Sequence, residues 1–277
     1  MSAPSPAPDA ALLAELRELA GRAARAGGWI AHRAFDQHFT VRLKADRSEV
    51  TDVDLAAQQA VIDTLWAARP HDAIIAEEER AAGGPPPTAD RVTWAVDPLD
   101  GTRNFVRGIP AYACSVGALL EGYPIVGAIF EPQRDRLFLG DAAGDLTLNG
   151  QPIARRVTSG PARGPGLKAV AAIPSSPSRD LAPLTAAWLD HFVCRCFGAT
   201  ALHLAMVAAG EIDAALCDNA RLWDIAAGAA LLAAAGCPIT RPDGSNLFPL
   251  DVAAYHNEEL PLITASAATW ASVPRVR

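Results

Sequence analysis

Between Lys168 and Ala235 short apolar runs alternate with helix-length segments, and this alternation constrains the fold more than any other feature of the chain. "KAVAAI", "FVCRCF" and "IDAALC" have the length and apolar character of buried strands. Leu181 to His191, Ala199 to Ala209 and Trp223 to Ala235 have the length of helices. Such a strand–helix order predicts an α/β layer.

The first half is organised differently. Leu12, Leu16, Leu19 and Ala23 recur at spacings of three and four, predicting an amphipathic helix over Ala10 to Ala26 that stops at Gly27-Gly28. After the polar loop "KADRSEV", Thr51 is a candidate N-cap and Asp54 its capping-box partner, for a helix running to Ala68. "DAIIAEEE" predicts a buried strand ending in carboxylates, and "RVTWAVD" a strand with Asp97 at its C-terminal end; the Gly/Pro-rich "AAGGPPPTAD" between them predicts a surface loop. "YACSVGALLEGYPIVGAIFEP" and "DRLFLGDAAGDLTLNGQPI" predict two hairpins. The composition of "TSGPARGPG" (158–166) marks an internal boundary. The expectation is a disordered tail over 1–9, an α+β N-terminal half over 10–157 and an α/β C-terminal half over 158–277.

With 277 residues, half of them hydrophobic and a fifth charged, the chain can bury a core as one large domain or two sharing an interface. A formal charge of -7 argues against nucleic acid or an anionic membrane as the main partner. Five cysteines, an odd and sparse set, fit reduced thiols; the single C-x-C of Cys194 and Cys196 is a weak metal motif. "MSAPSPAPDA" lacks the basic and apolar regions of a signal peptide, and no apolar run is long enough to span a bilayer. A cytoplasmic enzyme is the default expectation.

The chemistry concentrates in "WAVDPLDGTRNF". Pro98 restricts the backbone after the strand and Gly101 permits an unusual dihedral, so the chain can turn Asp97 and Asp100 toward one point, as a hard divalent cation requires. If a helix begins at Thr102, the free N–H groups of Gly101 and Thr102 face the same point and suit a phosphate. Taken singly, these acids also fit a capped turn, Glu77-Glu78 a solvated charge run, and Asp224 the first turn of a helix. Their joint occurrence at strand ends and helix starts is the more specific pattern.

"AEEE" (76–79), "DPLDGT" (97–102) and "WDIAAG" (223–228), in this order, resemble the three signatures of the inositol monophosphatase family, and the likeness extends to "VTDVD" (50–54) and "GATALHLAMVAAGEIDA" (198–214). The resemblance implies a layered αβαβα sandwich of the inositol monophosphatase/fructose-bisphosphatase type, usually a homodimer, with a Mg2+-dependent phosphomonoesterase site between the halves. By motif position it implies Glu77, Asp97 and the Leu99 carbonyl around one ion, Asp97, Asp100 and Asp224 around a second, and a third, weaker ion near Glu77. Asp54 and Thr102 would activate the attacking water with Glu78 nearby, and Lys44 would lie in the loop over the site, where a solvated charge is the alternative.

Two positions depart from the family pattern. Ala76 replaces a commoner glycine, and Cys217 stands where members acting on myo-inositol phosphates usually carry a glutamate that contacts sugar hydroxyls. The metal set is therefore expected intact and inositol specificity is not. The candidate recognition set is Asp100, Gly198, Ala199, Thr200, Cys217, Asp218 and Arg221. Among small phosphorylated metabolites, inositol-1-phosphate or a related polyol phosphate leads. Histidinol phosphate follows, then a 3'(2'),5'-bisphosphate nucleotide or fructose-1,6-bisphosphate; Arg103 and Arg107 keep the bisphosphates open. A non-catalytic regulatory or binding module is the alternative from another class.

Overall fold

The computed structural model describes residues 8–44, 48–78, 84–153 and 167–276. Helix α1 (Ala10–Ala34) opens at Asp9, whose carboxylate accepts the Ala11 N–H. It runs straight through Gly27 and Gly28, where the sequence predicts a stop, and the reason is packing. A Cβ on Gly28 would lie 2.5 Å from Phe130 Cδ1, and one on Gly27 would lie 2.7 Å from Val61 Cγ2. These glycines let neighbouring elements approach α1 closely. Strands β1 (Val41–Leu43) and β2 (Glu49–Thr51) form a small antiparallel hairpin where a polar loop was expected. Helix α2 (Asp52–Ala68) begins with the predicted capping box: the Thr51 hydroxyl accepts from Val53 and Asp54 N–H, and Asp54 Oδ2 accepts the Thr51 N–H at 2.8 Å.

Strands β3 (Ala73–Ala76), β4 (Thr93–Asp100), β5 (Ala113–Leu120), β6 (Tyr123–Glu131), β7 (Arg136–Asp141), β8 (Leu146–Leu148) and β9 (Gln151–Pro152) form a seven-stranded sheet in chain order. Only the β3–β4 pair is parallel, because only there does a long excursion intervene. The short helix α3 (Thr102–Val106) follows β4 directly. The second sheet contains β10 (Val170–Ala172), β11 (Val193–Arg195), β12 (Ala214–Cys217), β13 (Ile239–Thr240) and β14 (Leu262–Ala265), ordered β11-β10-β12-β14-β13. The three predicted strands are mutually parallel and are joined through α4 (Ala182–His191) and α5 (Thr200–Ala208). Helix α6 (Leu222–Ala235) then leads to β13 and β14, an antiparallel pair outside the sequence expectation.

Burial defines the layers. Leu16 and Leu19 of α1 and Ile62 and Leu65 of α2 cover one face of the first sheet, against Trp94, Val116 and Phe130. Leu204 of α5 and Ile225 and Leu231 of α6 pack between the sheets, against Ile129 and Phe138 on one side and Ala215 and Leu262 on the other. Leu184 and Trp188 of α4 close the outer face of the second sheet over Ala171, Leu216 and Ile263. In β12 the alternation is visible residue by residue: Ala215 and Cys217 face inward, Ala214 and Leu216 outward. The result is the layered αβαβα sandwich. The predicted boundary at 158–166 lies outside the described residues.

Contact between α6 and the first sheet is unusually close. A Cβ on Gly117 of β5 would lie 2.6 Å from Ala227 N, and one on Gly127 of β6 would lie 2.1 Å from Ala227 O. Helix backbone therefore rests directly on strand backbone, one turn after Asp224.

Candidate active site

Strand β4 continues to Asp100 instead of ending at Asp97. Its register with β5 pairs Asp97 with Ser115 and Asp100 with Ala113, so three steps on β4 oppose two on β5, a bulge at Pro98-Leu99. Pro98 has no N–H to lose from the ladder, and Asp97 Oδ1 accepts the Leu99 N–H at 2.9 Å. Gly101 follows at φ 93°, where a Cβ would sit 2.9 Å from Ala111 O; the turn into α3 requires glycine.

Asp224 comes from the other side, in the first turn of α6, where its Oδ2 accepts the Arg221 N–H at 2.6 Å. Ser115 Oγ of β5 donates to Trp223 O at 3.3 Å and fastens this turn to the first sheet. Asp100 reaches across the layers too: Oδ1 accepts the Thr200 N–H at 3.1 Å and Oδ2 the Ala201 N–H at 2.6 Å, capping α5. One oxygen each from Asp97, Asp100 and Asp224 then lies within 4.8 Å of the others. Burial raises the pKa of all three, and neighbouring carboxylates raise it further, Glu77 first for Asp97 and Asp224, and Asp224 first for Asp100. Asp224 is pushed up to about 7.

Glu77 stands outside that trio. Its N–H extends the β3–β4 ladder to Val96 O at 3.1 Å, while its carboxylate accepts from Lys44 Nζ at 2.8 Å. The same ammonium lies 2.7 Å from Glu78 Oε1. Burial works against charge on Lys44, but the two glutamates outweigh it and raise its pKa. Burial and Glu77 push Glu78 up to about 7 despite Lys44. Lys44 is thus an inward ion-pair partner here and not a solvated charge.

The Thr102 hydroxyl sits 2.9 Å from Asp54 Oδ1 and 3.0 Å from Leu99 O, with one proton for two acceptors. Burial raises the pKa of Asp54, with hydrogen bonds from Thr51 and Thr102 opposing it. Five sequence elements therefore converge: the β1–β2 hairpin, the start of α2, the end of β3, the β4–α3 turn and the start of α6.

Beside them lies a cavity of about 190 Å3, lined by Gly198, Ala199, Thr200, Cys217 and Asp218 of the predicted recognition set. Arg221 is not part of its lining and lies 4.0 Å from Glu259 Oε1. Sequence reasoning missed Ser175, Ser176, His203 and Asn219, which also line it. Asp218 also anchors its neighbourhood: Oδ2 accepts the Ser178 N–H at 2.6 Å and Oδ1 the Asn219 N–H at 2.9 Å, which ties down the 174–178 loop. Burial, then Asp100 and Asp224, raise the Cys217 pKa, so this wall presents a neutral thiol. His203 is held neutral by burial, down to about 4, with Nε2 accepting the Phe197 N–H.

The layered sandwich has solved counterparts: an inositol monophosphatase from Anabaena superposes with a TM-score of 0.74 at 28% identity, covering 96% of this chain and 98% of that one. The match of residues 12–269 to the inositol monophosphatase family model shows the family: the chain belongs to it. Inositol monophosphatase 3 of Solanum lycopersicum is 33% identical over 82% of this chain and 86% of its own. A protein of Pasteurella multocida called Nus factor SuhB is 30% identical over 79% of this chain and 82% of its own.

Proposed function

We propose that the chain is a Mg2+-dependent phosphatase that hydrolyses a small phosphate monoester, inositol-1-phosphate or a related polyol phosphate, working in the cytoplasm as a homodimer. The observation that carries this reading is the convergence of Asp97, Asp100 and Asp224 within 4.8 Å. Three carboxylates buried that closely repel one another, burial and that repulsion raise the pKa of each, and an all-oxygen donor set fits a hard divalent ion. Asp97, Asp100 and Asp224, with Glu77 and the Leu99 carbonyl, would hold two ions, and a third would sit near Glu77. Bound Mg2+ supplies charge neutralisation of the phosphate and the alkoxide leaving group and a water of lowered pKa.

The remaining chemistry belongs to the chain. With the Thr102 proton given to Asp54, the Thr102 oxygen is free to accept a hydrogen bond from the attacking water and to pass its proton inward. Burial makes Asp54 a better base than a surface aspartate. Gly101 and Thr102 offer backbone N–H groups to the phosphate. Gly198, Ala199, Thr200, Cys217 and Asp218 face the leaving group. A thiol at Cys217 in place of a glutamate removes a carboxylate from this wall, which favours a less hydroxylated alcohol such as histidinol phosphate as the second reading.

The test is hydrolysis of p-nitrophenyl phosphate and of a panel of phosphorylated metabolites with Mg2+. Turnover that requires Mg2+ and disappears in Asp97→Asn, with the fold retained, is expected. No turnover of any member would instead support a non-catalytic regulatory role, the reading to which a relative called a Nus factor lends weight.

A further inference from the structure

Among the described residues the Glu77 N–H makes the last bond from this strand to β4, yet the residue that follows is not left without a register. Gln58 of α2 supplies one. Its Oε1 accepts the Glu78 N–H at 3.1 Å and its Nε2 faces the Glu78 carbonyl at 3.4 Å, so a side-chain amide takes the place of a missing strand. Gln58 and Glu78 are both only 6% exposed, which makes these bonds hard for water to replace. Gln58 stands one helical turn after Asp54, on the same face of α2.

We infer that Gln58 is a positioning residue for the cation site: by fixing the Glu78 backbone it holds the preceding Glu77 carboxylate within reach of Asp97 and Asp224. This rests on the metal-dependent reading above. The physical basis is rigidity. Glu77 is fixed at its own N–H by β4, and Gln58 fixes the peptide after it, so the Glu77 Cα cannot swing outward. Because Asp54 and Gln58 share one helix face, the Asp54–Thr102 pair and the Glu77–Glu78 pair are set at a fixed separation by α2. Without Gln58, Glu77 remains paired with Lys44 but loses the backbone restraint that keeps it near the aspartates.

Mg2+ binding to the full chain, measured calorimetrically without substrate and well below the melting temperature, tests this. Gln58→Met removes both hydrogen bonds at nearly constant volume; Gln58→Asn keeps an amide but is one methylene too short, and serves if the first variant does not fold. Both are expected to weaken Mg2+ binding by about 10- to 100-fold, as loss of an outer support for a metal ligand does. Given turnover, kcat at saturating Mg2+ should change only a few-fold. Gln59→Ala, which removes an exposed bond to Asp63, is expected to bind as wild type. Gln58 variants that melt earlier yet bind Mg2+ with wild-type affinity would overturn the inference while leaving the metal reading intact. A wild-type chain that binds no Mg2+ would overturn both.

Discussion

Asp224→Asn should make the metal-free protein more stable, and the pH at which it does so follows from the site. In the unfolded chain Asp224 titrates at its ordinary value of 3.8, and in the folded, metal-free chain at about 7. The folded state therefore holds a proton that the unfolded state has released over the window between these values. Stability falls as pH rises through that window and levels off above it. At about 1.4 kcal/mol per pKa unit, a difference of about three units amounts to roughly 4 kcal/mol at pH 8, divided among the neighbouring carboxylates that titrate with Asp224. Asparagine retains an oxygen to accept the Arg221 N–H and carries no charge to bury. At about 2 °C per kcal/mol for a chain of this size, the variant should melt about 5–8 °C above wild type in EDTA at pH 8. The gap should narrow as pH falls below 7 and close toward pH 4, where the unfolded chain also keeps the proton. Added Mg2+ should reverse the order, since ligand binding stabilises only the chain that retains the site. Differential scanning calorimetry across pH measures all three. A variant no more stable than wild type in EDTA at pH 8, or a gap independent of pH, would refute the reasoning.

Thr102→Val keeps the shape of the side chain but removes the hydroxyl between Asp54 and Leu99 O, and should lower kcat by about 100-fold with little change in KM, as steady-state kinetics would show. Gly28→Ala places a methyl 2.5 Å from Phe130 Cδ1 and should destabilise by about 1–3 kcal/mol in urea titration; an unchanged midpoint would mean that the contact relaxes freely. Treatment with EDTA should abolish phosphatase activity, and Mg2+ should restore it without refolding.

Much of the fold is legible because local chemistry and tertiary role agree. Thr51 and Asp54 cap α2 as their spacing predicts, and β10, β11 and β12 fall on the apolar runs. Failures occur where a residue serves a distant neighbour. Gly27 and Gly28 have the composition of a helix end, but their partners are Val61 and Phe130, which no local window contains. β13 spans only two residues, and β14 lacks the helix-length neighbours that mark β10, β11 and β12, so neither stands out before β12 is there to pair with. The site divides in the same way. Its acids lie in short motifs with turn residues beside them, whereas Gln58 sits in a run of ordinary helix residues, and its value depends on where Glu78 arrives. Asp218 shows the same limit: an acid beside Cys217 invites a substrate role, and its further bonds to the Ser178 and Asn219 N–H groups depend on a loop about 40 residues away.

The glycines at 117 and 127 have a mechanical meaning for the site. With helix backbone seated on strand backbone at Ala227 and the Ala226 methyl beside it, little at this contact between α6 and the first sheet could be rotated or trimmed. The contact acts as a hard stop. Asp224 is delivered from the helix layer between the sheets, and its height above Asp97 is gauged by this stop about one turn away. An added methyl at Gly127 would work as a shim, tilting the helix and parting two carboxylates that it never touches.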